Sequence, residues 1–288
     1  MILVTGATGM VGGHVLRQLT GQSAPVRALV RSEEKGDALR GYDCELAVGC
    51  YEDAGSLDRA LRGIDHVFLI TPANEHMAQQ ESSLVDAAVR AGSSPHIVKQ
   101  AAAGVDAPGE TDVNFLAQHR RVVEHLREVG LPTTVLAPNG FMQNLLGLAG
   151  SIQEQGAFFL PAGDAAISLV DARDVAAVAA HVLTSEGHAG ATYTVTGPEA
   201  LTYQQVAERL GAALGKPVRY VDVPDEAARS AMVEAGMPPW MADGLVALNA
   251  VYKSGAAAQV TEEVQKATGR SPRTLSDFLA DHLGAFRR

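Results

Sequence analysis

Three glycines at three-residue steps, Gly6, Gly9 and Gly12, stand between an apolar Ile2-Leu3-Val4-Thr5 run and an amphipathic Val11–Leu19 stretch. That spacing carries a chemistry. The first glycine permits a tight turn off a strand, the second lets backbone amides approach a pyrophosphate, and the third lets the helix pack on the strand. Unpaired N–H groups and the positive dipole end of the helix then attract phosphate. Gly6, Thr8, Gly9, Met10, Val11 and Gly12 are the expected pyrophosphate cradle of a dinucleotide. A plain glycine-rich turn would need neither the strand before it nor the helix after it.

The end of the second strand sets the cofactor. An acid there would hold the ribose 2′-OH of NAD, whereas an arginine suits a 2′-phosphate. The chain reads Val26-Arg27-Ala28-Leu29-Val30-Arg31-Ser32, with Lys35 close behind and no acid at the strand end. Arg31 and Lys35 therefore favour NADP(H), the plainer reading of Arg31 being an exposed surface side chain.

The elements that must position these groups alternate along the first half of the chain. Apolar runs at Ile2–Thr5, Val26–Val30, Glu45–Val48, Val67–Ile70, Ile97–Gln100 and Thr133–Leu136 read as strands covered on both faces. Between them lie helical periods at Val11–Leu19, Leu57–Leu61, Met77–Val89 and Phe115–Val129, so a parallel sheet with crossover helices is predicted. The expectation is an α/β, Rossmann-type, doubly wound sheet over 1–140, to which later segments return. Residues 141–288 are expected to form mainly a smaller α/β substrate cap. Strands are predicted at 158–160, Ile167–Val170, Tyr193–Thr196 and Val218–Val223, and helices at Asp174–Leu183, Tyr203–Leu214, Asp225–Ala235 and Leu275–Leu283. Thr202 is a natural N-cap and Gly215 a natural helix stop. Met237-Pro238-Pro239-Trp240 breaks the chain before another helix.

Composition removes whole classes. With 288 residues, 47% hydrophobic and 19% charged, the chain can bury a core of its own and is not disordered. A net charge of −10 argues against a broad nucleic-acid footprint. No apolar run reaches the roughly 18–20 residues of a membrane span, and the first strand leaves no room for a signal peptide. Cys44 and Cys50 flank a predicted strand, too far apart for a disulfide, so a reducing cytoplasm is expected. Nine histidines offer no metal-ligand pair, so no metal is expected, and the absence of a Gly-x-Ser-x-Gly elbow argues against an esterase.

The Gly-Ala-Thr-Gly-x-x-Gly segment resembles the atypical, NmrA-like short-chain dehydrogenases. So do Ile70-Thr71-Pro72, His96-Ile97-Val98-Lys99, the run from Gly130 to Met142, Asp171-Ala172-Arg173-Asp174-Val175-Ala176 and Tyr193-Thr194-Val195-Thr196-Gly197-Pro198. The resemblance spans the whole chain. It implies that Thr71, Pro72 and Ala73 line the ribose and phosphate side of the cofactor. It also implies that Gln100, Ala101 and Ala102, with Pro138, Asn139, Gly140 and Phe141, frame the nicotinamide. The departures matter more. Conventional short-chain dehydrogenases hold the substrate oxygen with Ser and use Tyr, with Lys four residues on, as acid and base. Here Ala101 stands where Ser is expected, and the Tyr-x-x-x-Lys position reads Phe115-Leu116-Ala117-Gln118-His119.

His119 is then the one obvious titratable group on that helix face. It suits an acid that protonates a reduced acceptor, and equally a core-facing or ribose-contacting histidine. Phe141, Met142, Phe158 and Trp240 are the candidate substrate wall, although apolar residues after a strand often belong to the core. Trp240 fits a lid and ordinary packing equally well. Cys50 reads as a packed thiol rather than a redox site. Leu145–Leu148 suits a homo-oligomer contact or burial beneath the cap.

The expected activity is NADPH-dependent hydride transfer to an apolar unsaturated small molecule: a quinone, enone, ketone or imine. The alternative is a non-catalytic NADP(H) sensor acting through a protein partner. An epimerase or dehydratase fits worse, because those chemistries lean on the missing Tyr/Lys pair.

Overall fold

Strands that are apolar at every position need cover on both sides, and the architecture supplies it. The computed structural model describes residues 1–92 and 94–287. Its first half runs β1 (Ile2–Val4), α1 (Met10–Gly21), β2 (Val26–Val30), α2 (Glu33–Asp37), β3 (Glu45–Val48), α3 (Ala54–Ala60), β4 (His66–Leu69), α4 (Met77–Arg90), β5 (His96–Gln100), α5 (Asn114–Val129) and β6 (Thr133–Pro138). There follow α6 (Ala149–Gln155), β7 (Ala157–Leu160), β8 (Ala166–Ile167), α7 (Ala172–Thr184), β9 (Thr192–Val195), β10 (Leu201–Thr202) and α8 (Tyr203–Leu214). The chain ends with β11 (Arg219–Asp222), α9 (Asp225–Glu234), α10 (Pro239–Lys253), α11 (Glu263–Thr268) and α12 (Leu275–His282).

Seven strands form one parallel sheet in the order β3-β2-β1-β4-β5-β6-β9, a Rossmann-type α/β fold. Alternate residues of each strand enter different cores. Ile2, Val4, Ala28, Phe68, Val98 and Leu136 pack against α1 and α7, joined by Val264 of α11. Leu3, Leu29, Val67, Leu69 and Ile97 pack against α3, α4 and α5 on the opposite face. Thus α7, β9 and α11, though late in the chain, belong to the sheet layer.

A separate apolar cluster, built on β7, β8, α8, α10 and α12, forms the cap. The cap is tied to the sheet by charge. Asp171 caps α7 and accepts from Arg173, which also pairs with Asp281 of α12 at 2.5 Å. Asp174 accepts from the Arg273 backbone amide at 2.7 Å and from its guanidinium. The Asp171–Ala176 segment singled out in the sequence is thus a joint between layers.

Several expectations shift. Glu33–Asp37 is an unforeseen helix, started by the Ser32 side chain accepting from the Lys35 amide; only Gly36 in it is buried, so it had no apolar period to reveal it. The predicted 167–170 strand shortens to Ala166–Ile167, because Val170 instead bridges Phe141. Residues Met142–Leu148 coil into a 3-10 helix. Pro239 opens α10, placing Trp240 in its first turn. Thr202 and Gln205 form the capping box of α8, and Gly215 ends it at φ +69. The two cysteines are free thiols. No helix among the described residues is long and apolar enough to cross a membrane.

A Cβ at Gly12 would lie 2.2 Å from the Gly6 carbonyl oxygen, so Gly12→Ala must push α1 away from β1. Urea unfolding should show a loss of about 1–3 kcal/mol or more. Gly21→Ala, with open space around it, should be neutral or stabilising by about 0.5–1 kcal/mol.

Candidate functional site

Open parallel sheets bind ligands beyond the carboxyl ends of their strands, and the expected cofactor residues collect there. Gly6 turns the chain off β1 at φ +57, close under Ile70. Its carbonyl accepts from the Gly9 amide at 2.8 Å, which shapes the loop. The Thr5 hydroxyl donates to the Ile70 carbonyl at 2.8 Å and accepts from the Ile70 amide at 2.8 Å, fixing the loop against the end of β4. The amides of Met10, Val11 and Gly12 begin α1 and find no acceptor in the described chain, and the first turn holds no acidic side chain. Thr8, Gly9 and Met10 are exposed at the mouth. Backbone donors stand free where a pyrophosphate would need them.

Arg31 follows β2 and Lys35 lies in α2; both are exposed, and neither side chain makes an ion pair or hydrogen bond among the described residues. The Glu52 carboxyl is held below its usual range chiefly by backbone hydrogen bonding, with Arg31 a smaller contributor.

The rest of the rim divides. Pro72 and Ala73 are exposed after β4, while Thr71 is buried and donates to the Tyr51 hydroxyl at 3.0 Å. Gln100 is buried at the end of β5, and its Oε1 has no partner. Ala101 is buried in a small apolar cluster, with Ala102 packed against it. After β6, the Asn139 side chain is committed to the protein. It donates to Ser168 and to the Ala257 carbonyl, both at 2.8 Å, and accepts from Gly140 at 2.9 Å. Asn139 therefore shapes the β6 terminus, leaving the backbone of Pro138, Gly140 and Phe141 on the rim. Free amides, two unpaired cations and an orphaned buried acceptor fit an NADP(H)-shaped ligand.

Phe115 has a packing task. Its ring lies against α10 at Gly244, where a Cβ would come within 3.1 Å of it, and Asn114 donates to the Trp240 carbonyl at 2.9 Å. An aromatic stands at this position to seat the cap on α5.

His119, one turn further on, meets a group that the motifs did not flag. Lys99 Nζ lies 3.1 Å from His119 Nδ1, donates to the Gln100 carbonyl, and pairs with Glu81 at 2.7 Å, both charged side chains being fully buried. Thr71 also bears on Glu81. Lys99 can only donate, so Nδ1 accepts and the proton of the neutral imidazole sits on Nε2. Burial, and secondarily Lys99, hold the His119 imidazole well below its ordinary pKa. Burial pushes Glu81 up and Lys99 down, and their contact opposes both shifts. A signal for this pair was in the sequence: Met77, Glu81, Leu84, Val85 and Ala88 share the buried face of α4, and Lys99 interrupts a buried strand.

Beneath the cap lies a cavity of about 1080 Å³ that reaches the sheet at Gly140 and Phe141. Leu145 and Leu148, ambiguous in the sequence, are on its wall; so are Phe159, Met232, Tyr203 and Tyr252. No Asp, Glu, Lys, Arg or His lines it. Of the expected substrate residues only Phe141 reaches it. Phe158 points the other way from Phe159 because strand side chains alternate, and it stacks instead on Tyr203 and Tyr220. Met142 is 2% exposed within the cap core, and Trp240 is half-buried at the start of α10, off the cavity wall. Nor is His119 on that wall.

A model of the NmrA-like family matches residues 1–279. The chain is 39% identical to an NAD(P)H azoreductase of Xenophilus azovorans over 99% of both chains. It is 40% identical to a (4-alkanoyl-5-oxo-2,5-dihydrofuran-3-yl)methyl phosphate reductase of Streptomyces griseus, again over 99% of both. Among solved structures, the NADPH complex of the Escherichia coli quinone oxidoreductase QOR2 superimposes with a TM-score of 0.90 at 28% identity, over 98% of this chain and 100% of the other.

Removing one member of the buried pair strands the other. Glu81→Gln should cost about 3–5 kcal/mol in urea unfolding, and adding Lys99→Met should recover much of it. The depressed His119 pKa gives a second expectation. Above its unfolded value of 6.5 the group is neutral in both states; below it the unfolded chain takes up a proton that the fold refuses, so stability falls with acidification. His14, His66, His96 and His188 act in the same direction. His119→Gln should therefore reduce, not abolish, the stability lost between about pH 7.5 and about pH 5.5.

Proposed function

The chain belongs to the NmrA-like family, and we propose that it is an NADPH-dependent reductase of a neutral, apolar, unsaturated acceptor: a quinone, enone, ketone or imine. The observation that carries this reading is the uncharged cavity meeting the sheet at Gly140 and Phe141, on the strand edge that also holds the glycine cradle. A sensor of NADP(H) would have no use for such a space.

The free amides at the start of α1 hold the pyrophosphate, and Arg31 with Lys35 holds the 2′-phosphate. Gln100 offers its unpaired Oε1 to a donor on the nicotinamide side. When bound, reduced nicotinamide supplies hydride, so the protein has mainly to bind and orient. The wall is mainly apolar, and with no acidic side chain in the cavity the reduced acceptor completes its protonation from solvent at the mouth. His119, held neutral chiefly by burial with Lys99 adding to it, keeps its proton on Nε2 as a donor. The Streptomyces griseus relative is named for a phosphate ester. Such an anion would find no cation on this cavity wall, which favours neutral acceptors for this chain.

Purified protein should oxidise NADPH when given quinones or neutral azo compounds; no consumption above background across such a panel, with NADPH bound, overturns the reading. Arg31→Ala should raise the KM for NADPH roughly tenfold or more, because a charge-assisted contact is lost, and leave the KM for NADH almost unchanged.

A further inference from the structure

Three tyrosine rings cluster in the cap, and their hydroxyls have different fates. Tyr220 is satisfied: its oxygen accepts from the Ala162 amide at 3.2 Å and lies 3.1 Å from the Leu160 carbonyl and 3.0 Å from Asp222. Tyr203 stacks on it at 5.8 Å and on Phe158 at 6.1 Å, which fixes its ring, yet its hydroxyl has no hydrogen-bond partner among the described residues. Tyr252, near the end of α10, is likewise without one. Both rings are nearly buried, at 9% and 7% exposure, and both line the uncharged cavity.

Phenols in packed surroundings ordinarily find a partner for the O–H, so a hydroxyl whose ring is fixed by packing and which no protein group satisfies is free to bond a ligand. Two such hydroxyls, on a wall that also carries Gln143, Asn144 and Asn249 but no charged side chain, are donors open to an acceptor. Their positions differ. A Cβ on Gly140 would lie 2.9 Å from the Tyr252 oxygen, so this hydroxyl hangs over the residue where β6 ends and the cavity meets the strand edge. Tyr203 opens α8, on the cap side.

We propose that Tyr252 donates the hydrogen bond that holds and polarises the acceptor's reducible oxygen or nitrogen, and that Tyr203 is a second donor selecting acceptors with another lone pair. The inference rests on the reductase reading and narrows its substrate class to neutral hydrogen-bond acceptors, of which quinones, with two carbonyl oxygens, are one. Burial pushes the Tyr203 hydroxyl up to about 12 and raises that of Tyr252 as well, so both keep their protons at neutral pH. They act as fixed dipoles rather than as acids. A hydrogen bond to an oxygen that gains negative charge during reduction strengthens toward the transition state, where it accelerates the reaction. Gly140 is required here, because any side chain would displace the Tyr252 hydroxyl.

The test uses the protein saturated with NADP⁺, which cannot reduce the ligand. Calorimetric affinities for 2-methyl-1,4-naphthoquinone and for 2-methylnaphthalene, its oxygen-free counterpart, are compared. The wild type should prefer the quinone. Tyr252→Phe should cut that preference roughly three- to tenfold, leave the arene affinity unchanged, and lower kcat/KM with NADPH at least as much. Tyr203→Phe should weaken quinone binding further in the double variant. An unchanged preference in the double variant overturns the proposal. So does a lowered melting temperature of Tyr252→Phe, since that would reveal a protein partner for the hydroxyl. If the preference is lost as expected but the wild type consumes no NADPH with quinones, the reductase reading fails and the donor assignment stands.

Discussion

The approach of α1 to β1 is the constraint on which everything else rests. The helix can aim its free amides across the carboxyl edge of the sheet only if its first turn lies against the Gly6 carbonyl, where no side chain fits. Gly6 in turn sits close under Ile70, and Thr5 bonds both the carbonyl and the amide of that residue, so the loop after β1 and the end of β4 are fixed together. With those two strands central in the sheet order, the ends of β2, β5 and β6 fall on either side, and Arg31, Gln100 and Gly140 come to one edge. Close packing by glycine, an apolar matter, is what gives a polar site its geometry.

The buried Glu81–Lys99 pair works on the other side of that edge. Two charges removed from water gain stability only when each is paired, so the pair pins α4 to β5 and penalises any register that parts them. Because Lys99 also reaches His119 and the Gln100 carbonyl, the pin extends to α5 and to the strand end. Burial, with Lys99 adding to it, disfavours the charged form of His119. A neutral donor is what the fold leaves it.

The sheet layer was legible because its signals are local. Continuous apolar strands, glycine spacing and the arginine after β2 each follow from neighbours in the chain, and the predicted strands of the first half fall within two residues of those observed. The cap was less legible because its contacts are not local. Phe158 and Phe159 are adjacent and chemically alike; only the pairing of β7 with β11 decides which one enters the cap core and which faces the cavity. Trp240 attracted notice as the single tryptophan, but Pro239 starts the helix in a register that leaves it off the cavity wall. Tyr203 and Tyr252 stand 49 positions apart and belong to no motif, so nothing in the chain order could join them. Glu81 and Lys99 were readable in principle, as charges on faces that the period marks as buried.

The placement of charge divides the site in a way that follows from dielectric behaviour. Arg31 and Lys35 are exposed, where holding a cation in water costs little and a phosphate arriving with its own hydration can exchange partners easily. No Asp, Glu, Lys, Arg or His lines the cavity, and an unpaired ion on its wall would cost more than it could return in binding a neutral molecule. Dipoles escape that penalty. A phenol hydroxyl on the wall carries no net charge and can bond a carbonyl oxygen or imine nitrogen, whereas an anionic substrate would demand a full countercharge. The sheet edge and the cap thus draw on different kinds of electrostatics, charge in the open at Arg31 and Lys35 and dipoles on the cavity wall.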